Sequence, residues 1–451
     1  MTGLWFESAL LPGGWTERVR IGATDGCIDC LETGVPPADS DERHALGVPG
    51  LGNLHSHTFQ RALAGLTERR GPSDDSFWTW RELMYRFVER IDPDEFEAIA
   101  AFAFAEMLES GFTHVGEFHY VHHDKGGLPF ADAGELAGRI ASAAGETGIG
   151  LTLLPTFYAH SGFGGGEPSE RQRRFICDLE RFARVVESSR KAIETLSGAR
   201  LGIAPHSLRA VTESELAAVV ALGRGSPTHI HIAEQTKEVE DCLAWSGLRP
   251  VDWLMEHVSV DSHWCLVHAT HTSLQERERI AACAATVGLC PITESSLGDG
   301  IFGAERFMAQ NGHFGIGTDS NIRIDPAEEL RTLEYSQRLE RRARNVLASA
   351  SGRSTGSTLF AAALSGGSRA LKSPKGLERG ASMDLVSLRP DHPAIMERRG
   401  DEILDSWIFA GDRGVVEDVW RGGQKVVSDG HHVRRAAITA RYRRALSTLL
   451  A

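Results

Sequence analysis

The sequence has no long hydrophobic run, no excess of positive charge and no dense set of cysteines. No stretch of about 18 apolar residues occurs, so we expect no membrane-spanning segment. Acidic residues number 61 against 48 basic ones, and a surface with a net charge of −13 repels phosphate backbones and anionic lipids. We therefore expect neither nucleic acid nor a membrane as a partner.

The seven cysteines are odd in number and spread over the whole length, which is typical of free thiols in a reducing compartment. The first residues lack the basic and apolar regions of a secretory signal, so we expect a cytoplasmic protein. Cys27 and Cys30 have the spacing of a CxxC pair, but no second pair accompanies them. We interpret them as separate thiols rather than as a redox or zinc site.

Eight short apolar runs alternate with amphipathic segments of helical period between residues 48 and 319. Alternating strand and helix signals predict a parallel sheet, and eight strands predict its closure into a barrel. The expected fold class is therefore α/β, with a TIM-like (β/α)8 barrel. The runs are 48–57, 111–120, 149–158, 200–206, 228–234, 264–270, 286–293 and 313–319.

The two ends of the chain differ from this pattern, because they carry short β-type runs and glycine turns. We predict that they form two halves of one small β-sandwich, followed by a closing helix at 436–449. The expected domains are residues 1–46 as the N-terminal half, residues 47–377 as the barrel, and residues 378–451 as the C-terminal half with the closing helix.

Residues of the types that bind metal ions lie at the ends of the apolar runs. His55 and His57 are two residues apart, so both side chains face the same side of a strand and can reach one ion. His231 and Asp319 end the fifth and eighth runs, and active sites of such barrels gather at the C-terminal ends of strands. Three imidazoles and one carboxylate suit zinc, with iron as the alternative, and leave a place for water. The fourth run ends at residues 204–207 without a lysine or acid that could bridge two ions, so we expect one.

The residues beside this metal site predict a hydrolase, because water on such an ion is a nucleophile near neutral pH. Glu234 lies three residues after His231, and we interpret it as a proton carrier between water and leaving group. The alternative is a solvated carboxylate at a helix start. His268 ends the sixth run and is expected to orient the hydroxide, with a buried structural histidine as the alternative. Asp319 is expected to accept the water proton as well as to bind the ion.

Two arginines indicate the polarity of the substrate. Arg209 follows the fourth run, and Arg81 lies in an insertion after the first. A guanidinium binds a carboxylate with two hydrogen bonds, so the pair predicts a substrate with one or two carboxylates. The alternative for each is a surface arginine, and for Arg81 taken alone this is the better interpretation. The tryptophans beside Arg81 fit a lid that excludes water.

The pattern His55-x-His57, His231-x-x-Glu234, His268 and Asp319 resembles the amidohydrolase superfamily, in particular its mononuclear branch with the cytosine and guanine deaminases. Within that branch, residues 52–61, 76–85, 204–209, 231–235 and 293–300 resemble the family of formimidoylglutamate deiminases. The resemblance implies hydrolysis of N-formimino-L-glutamate to N-formyl-L-glutamate and ammonia in histidine degradation. It implies attack of a metal-bound hydroxide on the amidine carbon.

The resemblance also implies a role for each site residue. Metal binding falls on His55, His57, His231 and Asp319, and catalysis on Glu234, His268 and Asp319. Substrate contacts fall on Gln60, Arg81, Tyr120, His206 and Arg209. The expected partner is a small anionic substrate, and the resemblance leaves room for a homodimer. Two alternatives stay open, a nucleobase or other heterocycle deaminase of the same superfamily and a barrel scaffold without catalysis.

Overall fold

The computed structural model describes residues 3–71, 74–348, 350–373 and 376–451. Seventeen strands lie within these ranges. They are β1 (Leu4–Leu11), β2 (Gly14–Thr24), β3 (Cys27–Glu32), β4 (Glu42–Pro49), β5 (Leu51–Ser56), β6 (Phe112–His119), β7 (Gly150–Phe157), β8 (Arg200–Leu201), β9 (Ala204–Pro205), β10 (Thr228–Ile232), β11 (Trp264–His268), β12 (Thr286–Leu289), β13 (His313–Ile316), β14 (Leu385–Leu388), β15 (Val416–Arg421), β16 (Gln424–Ser428) and β17 (His431–His432).

The described ranges also contain fourteen α-helices and four short 3-10 helices. The α-helices are α1 (Phe77–Val88), α2 (Pro93–Ser110), α3 (Glu135–Thr147), α4 (Leu179–Ile193), α5 (Glu213–Leu222), α6 (Thr236–Ser246), α7 (Pro250–His257), α8 (Leu274–Ala282), α9 (Pro291–Leu297), α10 (Ala304–Ala309), α11 (Pro326–Arg341), α12 (Thr355–Leu371), α13 (Asp401–Ala410) and α14 (Arg435–Leu450). The 3-10 helices are Thr58–Leu63, Glu170–Gln172, Leu208–Ala210 and Arg413–Val415. Of the helices described, none is both long and apolar enough to cross a membrane.

Parallel strands form two sheets that meet at both edges. One sheet has the order β5-β6-β7-β8, with β9 also paired to β7, and the other has the order β10-β11-β12-β13. Bridges between Ile203 and Thr228 and between Ser56 and Asp319 connect the sheets. The strands therefore close into a barrel in which β8 and β9 share one of eight positions. This arrangement agrees with the predicted α/β barrel, although the fourth apolar run is two short strands rather than one.

The barrel strands are buried on both faces, as parallel strands covered by helices are. Every residue of β6 and β7 is buried. Helix α12 closes the bottom of the barrel against β13, where the backbones approach too closely for a side chain. A Cβ atom on Gly366 would lie 1.8 Å from the carbonyl oxygen of Phe314. Leu54, Val267 and Leu371 pack in the interior beneath the strand ends that carry the chemistry.

The two ends of the chain share one eight-stranded sheet, with the order β17-β16-β15-β14-β4-β1-β2-β3. Strand β4 joins them, because it pairs parallel to β1 and antiparallel to β14. Phe6, Ile21 and Trp420 belong to a separate small core on this sheet. The closing helix predicted at 436–449 is α14, which stacks Tyr442 on Phe102 of α2. The division into a two-layer sandwich and the domain boundaries stay predictions.

Candidate active site

Four side chains converge at the C-terminal rim of the barrel. His55 lies in β5, His57 follows it, His231 lies in β10, and Asp319 follows β13. One ligand atom from each lies within 4.8 Å of all the others, and all four residues are buried. The Nε2 atoms of His55 and His231 are 3.0 Å apart, and Asp319 Oδ1 lies 3.2 Å from His57 Nε2. The structure thus brings together the four residues that the sequence predicts as metal ligands.

The hydrogen bonds around two of these rings fit metal binding. His57 Nδ1 lies 2.9 Å from the carbonyl oxygen of Phe118, and His231 Nδ1 lies 3.0 Å from that of His206. Because a carbonyl oxygen only accepts, each Nδ1 carries the hydrogen and each Nε2 points a lone pair at the centre. Burial lowers the pKa of His55 to about 3, which favours the neutral form that ligates metals. Three neutral imidazoles and one carboxylate suit a divalent ion.

The backbone holds Asp319 in place against β5. Its N–H donates to the His55 carbonyl oxygen at 2.9 Å, and its own carbonyl oxygen accepts from the His57 N–H at 2.9 Å. Its φ is +43°, a conformation that residues other than glycine rarely adopt outside strained functional segments. The Asn321 amide donates to the carbonyl oxygens of both His57 and Asp319 at 3.0 Å. Sequence reasoning missed Asn321, since nothing in its local sequence marks it.

The Asp319 carboxylate is ionised although it is buried. Burial alone would raise its pKa, but the close imidazoles of His55 and His57 lower the pKa well below its ordinary value. A carboxylate that stays ionised can bind a cation and accept a proton.

Glu234 and His268 lie beside the four-residue cluster. The Nε2 atom of His268 is 3.9 Å from Glu234 Oε1 and 4.0 Å from Asp319 Oδ2. Burial raises the pKa of Glu234, although His268 and Arg209 oppose it. Burial lowers the pKa of His268, but the charge of Glu234 and a hydrogen bond to Glu294 outweigh it and raise that pKa to about 10. A carboxyl group that holds its proton more strongly than usual suits general acid-base work.

A second carboxylate fixes the backbone under Glu234. Glu238 is fully buried, and its two oxygens accept the backbone N–H groups of Ala233 and Glu234, each at 3.1 Å. Ala233 has a φ of +50°, so the chain turns sharply between β10 and α6. Glu238 was not predicted from the sequence. Its position three residues into a helix, where acidic side chains cap N–H groups, is the signal that could have found it.

The five residues predicted to contact substrate line the same cavity as the metal cluster. They are Gln60, Arg81, Tyr120, His206 and Arg209. The Gln60 amide donates to the Tyr120 hydroxyl at 2.9 Å. Tyr85 and Tyr158 also line this cavity and were not predicted. Trp80, one of the tryptophans interpreted as a lid, lines it as well.

The two arginines reach the cavity with unused hydrogen-bonding capacity. Arg209 Nη2 lies 3.8 Å from Glu234 Oε2, and the Arg81 guanidinium lies 4.7 Å from the Trp78 ring centroid. In the described part of the chain, the buried Nε atoms of both arginines have no hydrogen-bond partner. A buried cationic donor without a partner is costly, so this wall fits an anionic group.

Helix α1 carries Arg81 and forms the side of the cavity where the sequence predicts a lid. Phe77 and Trp80 of this helix line the cavity. The buried Arg174 guanidinium donates to the carbonyl oxygens of Val88, the last residue of the helix, and of Ile91 just beyond it. The two residues 72 and 73, before α1, lie outside the described residues.

A barrel whose rim holds three imidazoles, one carboxylate and two neighbouring acid-base residues defines the class of metal-dependent hydrolases. The model of the amidohydrolase family matches residues 47–426, and the model described as "Formimidoylglutamate deiminase HutF, N-terminal domain" matches residues 1–45. The chain belongs to the amidohydrolase family.

Individual relatives match over nearly the whole chain. A formimidoylglutamate deiminase from Pseudomonas aeruginosa is 50% identical over 438 residues, which cover 96% of each chain. The crystal structure of an amidohydrolase from Brucella melitensis has a TM-score of 0.97 and 54% identity, with both chains covered completely. An adenosine deaminase from Xanthomonas campestris, solved with bound zinc, has a TM-score of 0.82 and 21% identity over 100% of this chain and 98% of its own. This last likeness shows a common fold.

Proposed function

We propose that this protein is a metal-dependent deiminase that hydrolyses N-formimino-L-glutamate to N-formyl-L-glutamate and ammonia. The observation that carries the proposal is the pair of arginines, Arg81 and Arg209, on the wall of a cavity that also holds the metal-ligand cluster. An acidic side of the substrate can bind there while a small reacting group reaches the cluster. The relative from Pseudomonas aeruginosa, which bears the name of this activity, supports the same substrate.

The proposed cofactor is one divalent ion held by His55, His57, His231 and Asp319. We propose zinc, as in the fold relative from Xanthomonas campestris, with iron as the alternative. A divalent ion in such a site would lower the pKa of its bound water to about 7, which would make hydroxide available near neutral pH.

The chain's own residues position the substrate. Arg209 and Arg81 bind its carboxylates, and their rigid planar groups fix its orientation. Gln60, Tyr120 and His206 line the same cavity and supply further polar contacts. Phe77 and Trp80 exclude water from the reacting group.

Three residues move or hold protons during hydrolysis. The Asp319 carboxylate accepts a proton from the attacking water, and His268 Nε2 hydrogen-bonds to the oxygen that attacks the formimino carbon. The Glu234 carboxyl group transfers its proton to the imino nitrogen, then takes the remaining hydroxyl proton of the adduct and passes it to the amino group that leaves as ammonia. The proton held by Asp319 then returns to Glu234, which restores both groups. The water oxygen thereby replaces the imino nitrogen on the carbon, and the products are the formyl amide and ammonia.

A substrate panel tests this proposal. The zinc-loaded protein is assayed for ammonia release with N-formimino-L-glutamate, cytosine, guanine and adenosine, and Asp319→Asn serves as the inactive control. We expect release from the formimino compound only. Release from a nucleobase or nucleoside instead would support the alternative heterocycle deaminase, and a protein that binds no zinc or iron would support the scaffold.

The location and assembly of the protein are also proposals. All seven cysteines are free, which fits a reducing cytoplasm. A homodimer rests on the resemblance alone, and light scattering of the purified protein measures it. We retain the β-sandwich of the two chain ends, with boundaries after residues 46 and 377, as the proposed domain division.

A further inference from the structure

Glu294 lies directly behind His268, on the side of the ring that faces away from the metal-ligand cluster. Its Oε1 atom is 3.2 Å from His268 Nδ1. The side chains are 1% exposed for His268 and 7% exposed for Glu294, so water does not compete for this bond. The two residues lie at or just after the ends of neighbouring strands of the barrel. His268 is the last residue of β11, and Glu294 lies in α9, directly after β12.

A backbone donor holds the Glu294 carboxylate in this position. The same Oε1 atom accepts the N–H of Cys290 at 2.9 Å, at the start of α9. The Glu294 N–H in turn donates to the Cys290 carbonyl oxygen at 2.9 Å. The carboxylate therefore cannot turn away from His268 without leaving a buried N–H group unpaired.

This contact places a hydrogen on Nδ1 of His268. The Glu294 Oε1 atom is already an acceptor for the Cys290 N–H, so His268 Nδ1 is the donor to the same oxygen. The other nitrogen, Nε2, is then the one that faces Glu234 at 3.9 Å and Asp319 at 4.0 Å. His268 also has a φ of +67°, and the next residue, Ala269, has a φ of +51°. Such strained backbone conformations cluster at active sites.

We propose that Glu294 is a positioning residue that keeps a hydrogen on His268 Nδ1 and aims the Nε2 atom of His268 at the reacting oxygen. Glu294 touches neither substrate nor metal ligand in this role and acts only through His268. The competing explanation is that Glu294 serves α9 alone, as an acceptor for the Cys290 N–H. The kinetic part of the test rests on the proposed function, whereas the spectroscopic part does not.

The kinetic test compares Glu294→Ala and Glu294→Gln in the wild-type protein and in a His268→Asn background. We expect Glu294→Ala to lower kcat about 10- to 100-fold, as loss of a partner that orients a site histidine does, with KM and zinc content little changed. Glu294→Gln keeps an oxygen for both donors, because the Cys290 N–H orients the amide, and it should retain kcat within about fivefold. In the His268→Asn background, Glu294→Ala should cause no further loss.

Ser295→Ala is the matched control, because Ser295 is the exposed neighbour on the same helix, and its kcat should equal that of the wild type. An equal loss of kcat from Glu294→Ala in both backgrounds would show that Glu294 serves α9 alone. Full activity of Glu294→Ala would also overturn the proposal.

The spectroscopic test needs no substrate and no alanine variant. Ring 15N spectra of histidine-labelled wild type and Glu294→Gln, assigned with His268→Asn, report which nitrogen of His268 is protonated. Hydrogen on Nδ1 in both proteins supports the proposal. Hydrogen absent from Nδ1 in either protein overturns it, whatever the substrate of the enzyme proves to be.

Discussion

His57 and Asp319 face each other through both their backbones and their side chains. The His57 N–H donates to the Asp319 carbonyl oxygen at 2.9 Å, and His57 Nε2 lies 3.2 Å from Asp319 Oδ1. These residues follow β5 and β13, the first and last strands of the barrel. The candidate metal centre therefore lies across the seam at which the barrel closes.

Because the ligands come from both sides of this seam, removal of the metal should destabilise the barrel. A ligand at about 100 times its Kd stabilises a folded protein by about 2.7 kcal/mol. We expect chelation to lower Tm and abolish ammonia release, and zinc to restore both. Calorimetry and activity of the same samples measure this. Asp319→Asn should show neither zinc-dependent change, and a chelated, metal-free protein with full activity would contradict the proposal.

Glu234→Gln should lower kcat by about 10²- to 10⁴-fold, because the variant cannot transfer a proton to the imino nitrogen. KM and zinc content should change little, since Glu234 is not among the predicted ligands. Steady-state kinetics together with metal analysis measure the effect. The control is Glu240→Gln, which changes an exposed residue of α6, the helix that follows Glu234. Near-full turnover of zinc-loaded Glu234→Gln would remove this residue from the proposed proton transfer.

Arg209→Met and Arg81→Met should each weaken selection for one substrate carboxylate. A site built to pair a polar group rejects an analogue without that group by about 10⁴-fold or more. The test compares N-formimino-L-glutamate with N-formimino-4-aminobutyrate and N-formimino-L-2-aminobutyrate, which lack the α- and the γ-carboxylate. Each variant should have a lower kcat/KM than the wild type for N-formimino-L-glutamate. For the analogue that lacks the carboxylate bound by the substituted arginine, the kcat/KM of the variant should be close to that of the wild type.

The control for the arginine variants is Arg224→Met, which removes an exposed arginine and should leave all three kcat/KM values unchanged. An equal fractional loss for all three substrates would mean that neither arginine binds a carboxylate.

Glu106 should make stability depend on pH in the acid range. Its carboxylate accepts from Arg61 Nε at 2.6 Å and lies 3.4 Å from Arg413 Nη1. Burial alone would raise the pKa of Glu106, but Arg61 and the charges of Arg413 and Arg435 lower it below the ordinary value of 4.5. The stabilisation is therefore complete above the unfolded-state pKa and is lost as pH falls through the folded-state pKa.

Glu106→Gln should accordingly lower the free energy of unfolding by roughly 1–3 kcal/mol at neutral pH, and by progressively less below pH 4.5. Denaturant titrations at several pH values measure this difference. The control is Glu180→Gln, which removes an ion pair whose carboxylate is 86% exposed. It should lower the free energy of unfolding by less than about 1 kcal/mol at any pH. If the difference in free energy of unfolding between the wild type and Glu106→Gln grew as the pH fell, this explanation would be wrong.

The barrel and the convergence of its strand ends could be read from the sequence because both follow from local periodicity. The two-residue spacing of His55 and His57, and the apolar runs before His231 and Asp319, carry that information within a few positions. The shared sheet of the chain ends was not predicted in its strand order. The pairing of β4 with β14 joins residues far apart in sequence, and no local pattern specifies such a register.

Sequence reasoning assigned no role to the residues that hold the site in shape. Asn53 donates to Thr318 at 2.7 Å across 265 positions, and Glu294 reaches His268 across 26. A single asparagine or glutamate in a sequence is often a solvent-exposed surface residue. Its hydrogen-bond partner can therefore be identified only in the folded structure. Arg81 lay in an insertion, where periodicity could not tell a surface arginine from one that faces the cavity.

The bridge between Ser56 and Asp319 has a consequence for biosynthesis. A chain still on the ribosome that has not yet released its eighth barrel strand can offer an ion its imidazoles but not the carboxylate. With the four proposed ligands, we therefore expect tight binding of the ion only after translation has passed this point. The zinc bound by nascent chains arrested at successive lengths should then rise in one step. The length at that step would show when the metal site forms during translation.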